Sequence, residues 1–262
     1  MQDWDIKYYL HILRQQCREQ GLPELAYPKR PYITQIARFD PAKGIPDVIR
    51  SYAKLREMLK DAPAEQLPQL VICGHSSVDD PDGSMIYDQT MSLIHDEFSQ
   101  YTEDIIVARL PPSDQLLNAI LSMSKVALQL STREGFEVKV SEALHKGKPV
   151  IATQAGGIPL QIEHGKSGYL VPRHDHEAVA NHLFKLFTDQ KLYDEMSSYA
   201  KHHVSDEVHT VGQAVSWLYV ASMAAGGKQL QPNRRWLNDM AREAANEPYD
   251  ADEPRLPRHL ST

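Results

Sequence analysis

Six short runs rich in β-forming residues alternate with longer helical patterns, and this alternation constrains the chain more than any other feature. The runs are Tyr32 to Ala37, Gln69 to Cys73, Asp104 to Ala108, Val126 to Leu130, Pro149 to Ala152 and Gly168 to Val171. Strands separated by helices need crossover connections, so they pair in parallel and require helical cover on both faces. Between them, Val48, Ile49, Tyr52 and Leu59 form one apolar stripe, and Leu116, Leu117, Ile120 and Leu121 a second. Val179, Ala180, Leu183, Leu186 and Phe187 form a third at helical spacing. These stripes are assigned to the core. The predicted fold class is α/β, a doubly wound parallel sheet with C-terminal helices and an irregular tail.

The 262 residues, 42% of them hydrophobic, suffice for one such domain plus appendages. Residues 1–29 are expected to form a lead-in helix, Trp4 to Glu19, and a connection from another domain. Residues 30–227 form the sheet and its helices. Residues 228–262 hold a last helix from Arg234 to Asn246 and an extended tail whose three prolines disfavour regular structure.

The 28 Lys and Arg against 35 Asp and Glu leave a net charge of −7. That balance argues against a general nucleic-acid or membrane-surface role. Cys17 and Cys73 have no metal-ligand spacing and are read as buried thiols. Met1 to Gln20 mixes charged with apolar residues and reads as neither a signal peptide nor a membrane span. A cytoplasmic protein is expected.

Three constellations carry chemistry. In Ile36-Ala-Arg-Phe-Asp-Pro-Ala-Lys-Gly-Ile45, Arg38 and Lys43 follow the first strand. Ligands of open α/β sheets collect outside the carboxyl ends of the strands, so this cationic pair would meet an anion there. The competing reading is a solvated loop with Arg38 paired to Asp40. In Ser131-Thr-Arg-Glu-Gly-Phe-Glu-Val-Lys-Val-Ser-Glu-Ala-Leu144, Glu134 sits on a strand-to-helix loop and Glu142 in the helix's early turns. Such carboxylates accept hydrogen bonds from sugar hydroxyls, and Gly135 lets backbone approach a ligand. On spacing alone the surface-charge reading, with Glu142 an exposed helix residue and Glu134 a solvated loop charge, would prevail. Third, Gly156-Gly-Ile-Pro159 follows the fifth strand, either as a ligand-approaching backbone or as a tight turn. The loop Gly74 to Gly83 reads as turn chemistry, and the twelve histidines, His174 and His176 among them, form no metal motif. No metal or cofactor is implied.

Taken together, these motifs resemble the C-terminal, nucleotide-sugar lobe of the family-4 retaining glycosyltransferases. The resemblance rests on the Arg38–Lys43 segment, Glu134-Gly-Phe, Glu142-Ala-Leu with Gly-Lys-Pro-Val-Ile, Gly-Gly-Ile-Pro, and His164-Gly-Lys-Ser-Gly-Tyr-Leu-Val. It covers roughly residues 30 to 225. It implies the GT-B fold, two Rossmann-like lobes around a cleft. Within the family, Gln129-Leu-Ser-Thr-Arg-Glu, Leu160-Gln161 after the glycines and Glu137 in place of a usual glycine look like the trehalose phosphorylases and synthases. Glu137-Val-Lys-Val-Ser and Trp236-Leu-Asn-Asp-Met-Ala-Arg-Glu, with Pro-Arg-Leu-Pro-Arg beyond, look most like the nucleotide-independent phosphorylases.

That subgroup resemblance implies reversible phosphorolysis of α,α-trehalose to glucose and α-glucose 1-phosphate, with retention and without a protein nucleophile. Arg38 and Lys43 would then hold phosphate and steady the transition state. Glu134 would bind glucosyl hydroxyls, and Gly135 and Phe136 would shape the backbone beside them. Glu142, a ribose ligand in nucleotide-using relatives, has no assigned task. The resemblance also implies that an N-terminal lobe completes the site, and it leaves homo-oligomerisation open. Two alternatives stand: a nucleotide-sugar-dependent glucosyltransferase of trehalose synthase type, and a non-catalytic single-lobe binding module.

Overall fold

The computed structural model describes residues 2–75, 81–204, 207, 209–231, 235–250 and 253. Most of the loop between Gly74 and Gly83, Arg234, and the Pro-Arg-Leu-Pro-Arg segment lie outside them. Six strands, β1 (Tyr32–Ile36), β2 (Gln69–His75), β3 (Ile105–Leu110), β4 (Val126–Gln129), β5 (Val150–Thr153) and β6 (Gly168–Val171), form one sheet. All neighbours pair in parallel, in the order β3-β2-β1-β4-β5-β6. The six expected strands are all present, with ends shifted by at most two residues.

The helices that make the crossovers are α2 (Ile45–Met58), α3 (Pro81–Glu97), α4 (Asp114–Met123) and α5 (Val138–His145). Helix α1 (Asp3–Glu19) precedes the sheet, and α6 (His176–Thr188), α7 (Gln190–His203), α8 (Thr210–Ala225) and α9 (Leu237–Ala244) follow it. Pro81, Asp82 and Gly83, expected in a turn, instead open α3. Proline suits the first position of a helix because its missing N–H would have no partner there.

Period-two alternation sorts each strand's side chains between two cores. Tyr32, Ile36, Val71, Cys73, Ala127 and Val150 pack with α1, α4 and α5. Ile33, Leu70, Ile72, Val126, Leu128 and Ile151 face the other way, against α2, α3 and α6. Burial on both faces explains why the strands read as nearly continuous apolar runs. The lead-in helix α1 belongs to this packing, since Leu10, Leu13 and Cys17 are buried in it. Cys17 and Cys73 are free thiols, and burial pushes the first up to about 11 and the second to about 12. Neither forms a thiolate readily at neutral pH.

Two features of the C-terminal half differ in kind. His174 Nδ1 and His176 Nε2 lie 2.9 and 2.8 Å from the two oxygens of buried Asp47, so this histidine pair ties the start of α6 to the first turn of α2. Helix α8 is rich in apolar residues, yet Trp217 and Leu218 are each 70% exposed. Its inner side bears Gly212 and Ser216, which Asn238 of α9 bonds at 2.6 and 2.7 Å. Among the described residues, no helix is long and apolar enough to cross a membrane.

At the amino ends of the strands, Asp104 accepts from Arg30 at 2.6 Å and also from Arg56. Arg56 further donates to Tyr52 Oη at 2.7 Å, and that hydroxyl donates to Pro68 O. The network joins α2 to the starts of three strands. Burial would raise the Asp104 pKa, but the hydrogen bonds and charges of the two arginines outweigh it and leave it lowered. A lowered carboxylate contributes stability that is fully present above its unfolded pKa and is lost as pH falls through its folded value. We therefore expect Asp104→Asn to cost about 2 kcal/mol in urea unfolding at neutral pH, with the deficit shrinking under acid. Ligand binding at the opposite end of the sheet should be unchanged.

Candidate functional site

The strand order reverses between β1 and β4, because the chain runs from β1 toward β2 and β3 and then returns to start β4 on the other side. Loops leaving such neighbours diverge, and the crevice between them is where open α/β sheets bind ligands. Direct pairing of β1 with β4 covers only Ile33 with Val126 and Thr34 with Ala127. Beyond it, two buried glutamines bridge the strands. Gln129 Nε2 donates to Ile36 O at 3.0 Å, while Gln35 Oε1 accepts from Leu130 N at 3.0 Å. Gln35 Nε2 also donates to Lys43 O at 2.8 Å, which fixes the backbone of the loop after β1.

That loop contains a short 3₁₀ turn, Pro41–Lys43, capped by Asp40, whose Oδ1 accepts from Ala42 N at 2.8 Å. Gly44 ends the turn at φ 60°, and a Cβ there would lie 2.0 Å from Leu130 O. Only glycine permits this approach. Thr132 N donates to Ala42 O at 2.7 Å, so the loops after β1 and β4 are joined. The lysine side chain is thereby aimed across the crevice.

Lys43 Nζ lies 2.5 Å from Glu134 Oε2 and 2.7 Å from Glu137 Oε2. Burial would lower the lysine pKa, but the bonds and charges of the two carboxylates outweigh it and raise it. Glu134 also accepts from Gly135 N at 3.2 Å, and Glu137 from Lys139 N at 3.2 Å as the cap of α5. The two carboxyls share one cation and part company in proton affinity. Burial raises both, but the hydrogen bond and charge of Lys43, with the Gly135 N–H, hold Glu134 low. Glu137 stays raised because burial and its contact with Glu134 exceed the lysine's pull.

The paired glycines after β5 seat this constellation. A Cβ at Gly156 would lie 1.6 Å from Glu134 O, and Gly157 N donates to Gly135 O at 2.7 Å. The glycine requirement of the loop therefore sits at Gly156, whereas a Cβ on Gly135 would meet nothing within 4 Å. Beside Lys43 opens a cleft of about 340 Å³, lined among others by Arg38, Asp114, Glu137 and Lys139. Arg38 is largely exposed there, 3.4 Å from Asp40.

The candidate residues are only partly assembled. Lys43 and Glu134 meet at the crevice, and Arg38 lines the same cleft as Lys43 without contacting either. Glu142 does not reach Glu134; it lies further along α5, 2.7 Å from Lys139 Nζ. Phe136 is half exposed and turns toward the C-terminal segment, edge-on to Trp236 with ring centroids 6.4 Å apart. Glu137 was not a candidate, although a carboxylate at a position where similar sequences have glycine was a signal. Gln35 and Gln129, polar residues inside apolar strands, were another. Among the described residues, no group of acidic, histidine or cysteine side chains is placed to hold a metal ion.

The glycosyl transferases group 1 family matches residues 23–203. Among curated proteins, the trehalose phosphorylases of Pleurotus pulmonarius and Grifola frondosa are 56% and 58% identical, each over 97% of this chain and 35% of their own length. The chain thus spans about a third of these relatives. A trehalose synthase of Pyrococcus horikoshii is 38% identical over 68% of this chain and 40% of its own. Among solved structures, Anabaena HepE in complex with UDP and glucose aligns with a TM-score of 0.60 at 21% identity, covering 86% of this chain and 53% of that one. This last likeness concerns the fold, one lobe of GT-B type. A doubly wound sheet with this strand order, with the family match spanning most of it, leads to one assignment: the chain belongs to the group 1 glycosyl transferases.

Proposed function

We propose that the chain supplies the phosphate- and glucosyl-binding lobe of a retaining trehalose phosphorylase. The reaction is reversible phosphorolysis of α,α-trehalose to glucose and α-glucose 1-phosphate, completed by an N-terminal lobe that binds the second sugar. The observation that carries this reading is the Lys43–Glu134 pair at the strand-order reversal, beside a cleft lined by Arg38 and Lys43 and large enough for a sugar phosphate. The high identity to the fungal phosphorylases over nearly the whole chain supports the substrate class.

In this reading Arg38 offers a planar fork to phosphate oxygens, and Lys43 adds a point charge beside them. Glu134 accepts from glucosyl hydroxyls while Lys43 keeps it ionised. Gly135 and Phe136 form the backbone edge next to the sugar. Fixed cations stabilise charge on the departing or attacking phosphate in an oxocarbenium-like transition state, which makes a protein nucleophile unnecessary. The nucleotide-sugar alternative draws on the likeness to trehalose synthases and would have Glu142 hold a ribose. Here Glu142 is paired with Lys139, and the preference for phosphate rests on the identity to the phosphorylases over nearly the whole chain.

Arg38 gives the cleaner test of the phosphate cradle, since removing Lys43 would leave two carboxylates facing each other. Arg38→Ala should weaken phosphate binding by about 1–3 kcal/mol in calorimetric titration, and unchanged affinity would remove Arg38 from the cradle. Glu134→Gln should lose more affinity for glucose 1-phosphate than for inorganic phosphate. In the same assay, tighter binding of a nucleoside diphosphate glucose than of glucose 1-phosphate would replace the phosphorylase reading with the synthase one. Gly156→Ala should displace the Glu134 backbone and lower glucose 1-phosphate affinity about tenfold or more, with a folded far-ultraviolet spectrum retained.

A further inference from the structure

The charges around the cleft do not suit an incoming dianion. Arg38, Lys43 and Lys139 are countered by Asp114 and Glu137 in the lining, by Asp40 on Arg38, by Glu134 on Lys43 and by Glu142 on Lys139. Three cations thus stand against five carboxyl groups. Lys43 cannot turn to phosphate without loosening its hold on two carboxylates at once, and the like charges left behind would repel both each other and the ligand. Glu137 is held in place, since Oε1 accepts from Lys139 N at the start of α5 and the residue is only 8% exposed. A proton removes one negative charge without moving a side chain.

We propose that Glu137 adapts this cleft to phosphate by taking up one proton from solvent as the anion binds, becoming a neutral carboxylic acid that donates a hydrogen bond. The proposal rests on the reading that the cleft takes phosphate, and it makes Glu137 a specificity-determining residue of that site. The groups facing it are Lys43 from the turn after β1, Glu134 from the loop after β4, and the Lys139 backbone from α5. Arg38, Asp114 and the Lys139 side chain line the same space. Of the two carboxyls, Glu137 is the one to be protonated. It is the more deeply buried and has the raised proton affinity, while Glu134 is held low by the hydrogen bond and charge of Lys43 and by the Gly135 N–H.

The test is calorimetric titration of the full chain with inorganic phosphate near pH 8, in two phosphate-free buffers of different ionisation enthalpy. Heats that differ between the buffers in the sense of proton uptake, with affinity falling up to about tenfold per pH unit above pH 8, are expected of the parent. Glu137→Gln keeps the shape of the side chain and should abolish both effects while binding phosphate more tightly at pH 8. Phosphate binding by the parent without proton uptake, or equal uptake in the glutamine variant, overturns the role of Glu137 and leaves the phosphate reading intact. Failure of both proteins to bind phosphate overturns the two together. The parent measurement needs no variant, so a folding defect in Glu137→Gln does not obscure the result.

Discussion

The constraint on which the site depends is the reversal of strand order between β1 and β4. Two parallel strands whose loops leave toward opposite faces cannot stay paired to their ends, so a gap opens at the carboxyl edge and its backbone groups need partners. Gln35 and Gln129 supply them. Because Gln35 also holds the carbonyl of Lys43, the interaction that closes the gap aims the site's lysine as well. Structure and site share one set of hydrogen bonds.

On that frame the loops are held by close backbone approach more than by side-chain packing. Gly44 lies against the Leu130 carbonyl, and Gly156 against that of Glu134. Each contact excludes any larger residue, so the spacing between Lys43 and the two glutamates is set by peptide groups, which hold geometry more rigidly than flexible side chains do. The result is one ammonium shared by two carboxyls of unequal proton affinity. Burial separates the two glutamates, a difference that neither side chain has in water.

The amino edge of the sheet follows another logic. There Asp104, Arg30, Arg56 and Tyr52 form a hydrogen-bonded network that joins the starts of three strands, although the buried Arg56 Nε has no partner in it. The two edges mirror each other in charge, with one carboxylate between two cations at the amino edge and one cation between two carboxyls at the carboxyl edge, and the carboxyl-edge cluster opens onto a space of sugar-phosphate size. Perturbed charge beside a cavity marks a candidate binding site.

Much of this was legible in the chain itself. The six apolar runs and the intervening stripes specify strands and helices because local periodicity is written in neighbouring residues, and alternation with crossovers specifies a parallel sheet. Arg38, Lys43 and Glu134 could be nominated because strand-end loops are where such sheets place ligands. The Glu142–Lys139 pair is an i,i+3 contact within α5 that helical spacing allows, whereas tertiary structure alone decided that Phe136 turns toward Trp236 and that Glu137 joins Lys43. Each depends on the rotation of a helix or the approach of a distant loop, which is set by packing between segments about ninety residues apart in the Lys43 case. No local pattern encodes such a separation. The fold could be read from the order of the residues, but the balance of charge in the cleft appears only once the loops are brought together.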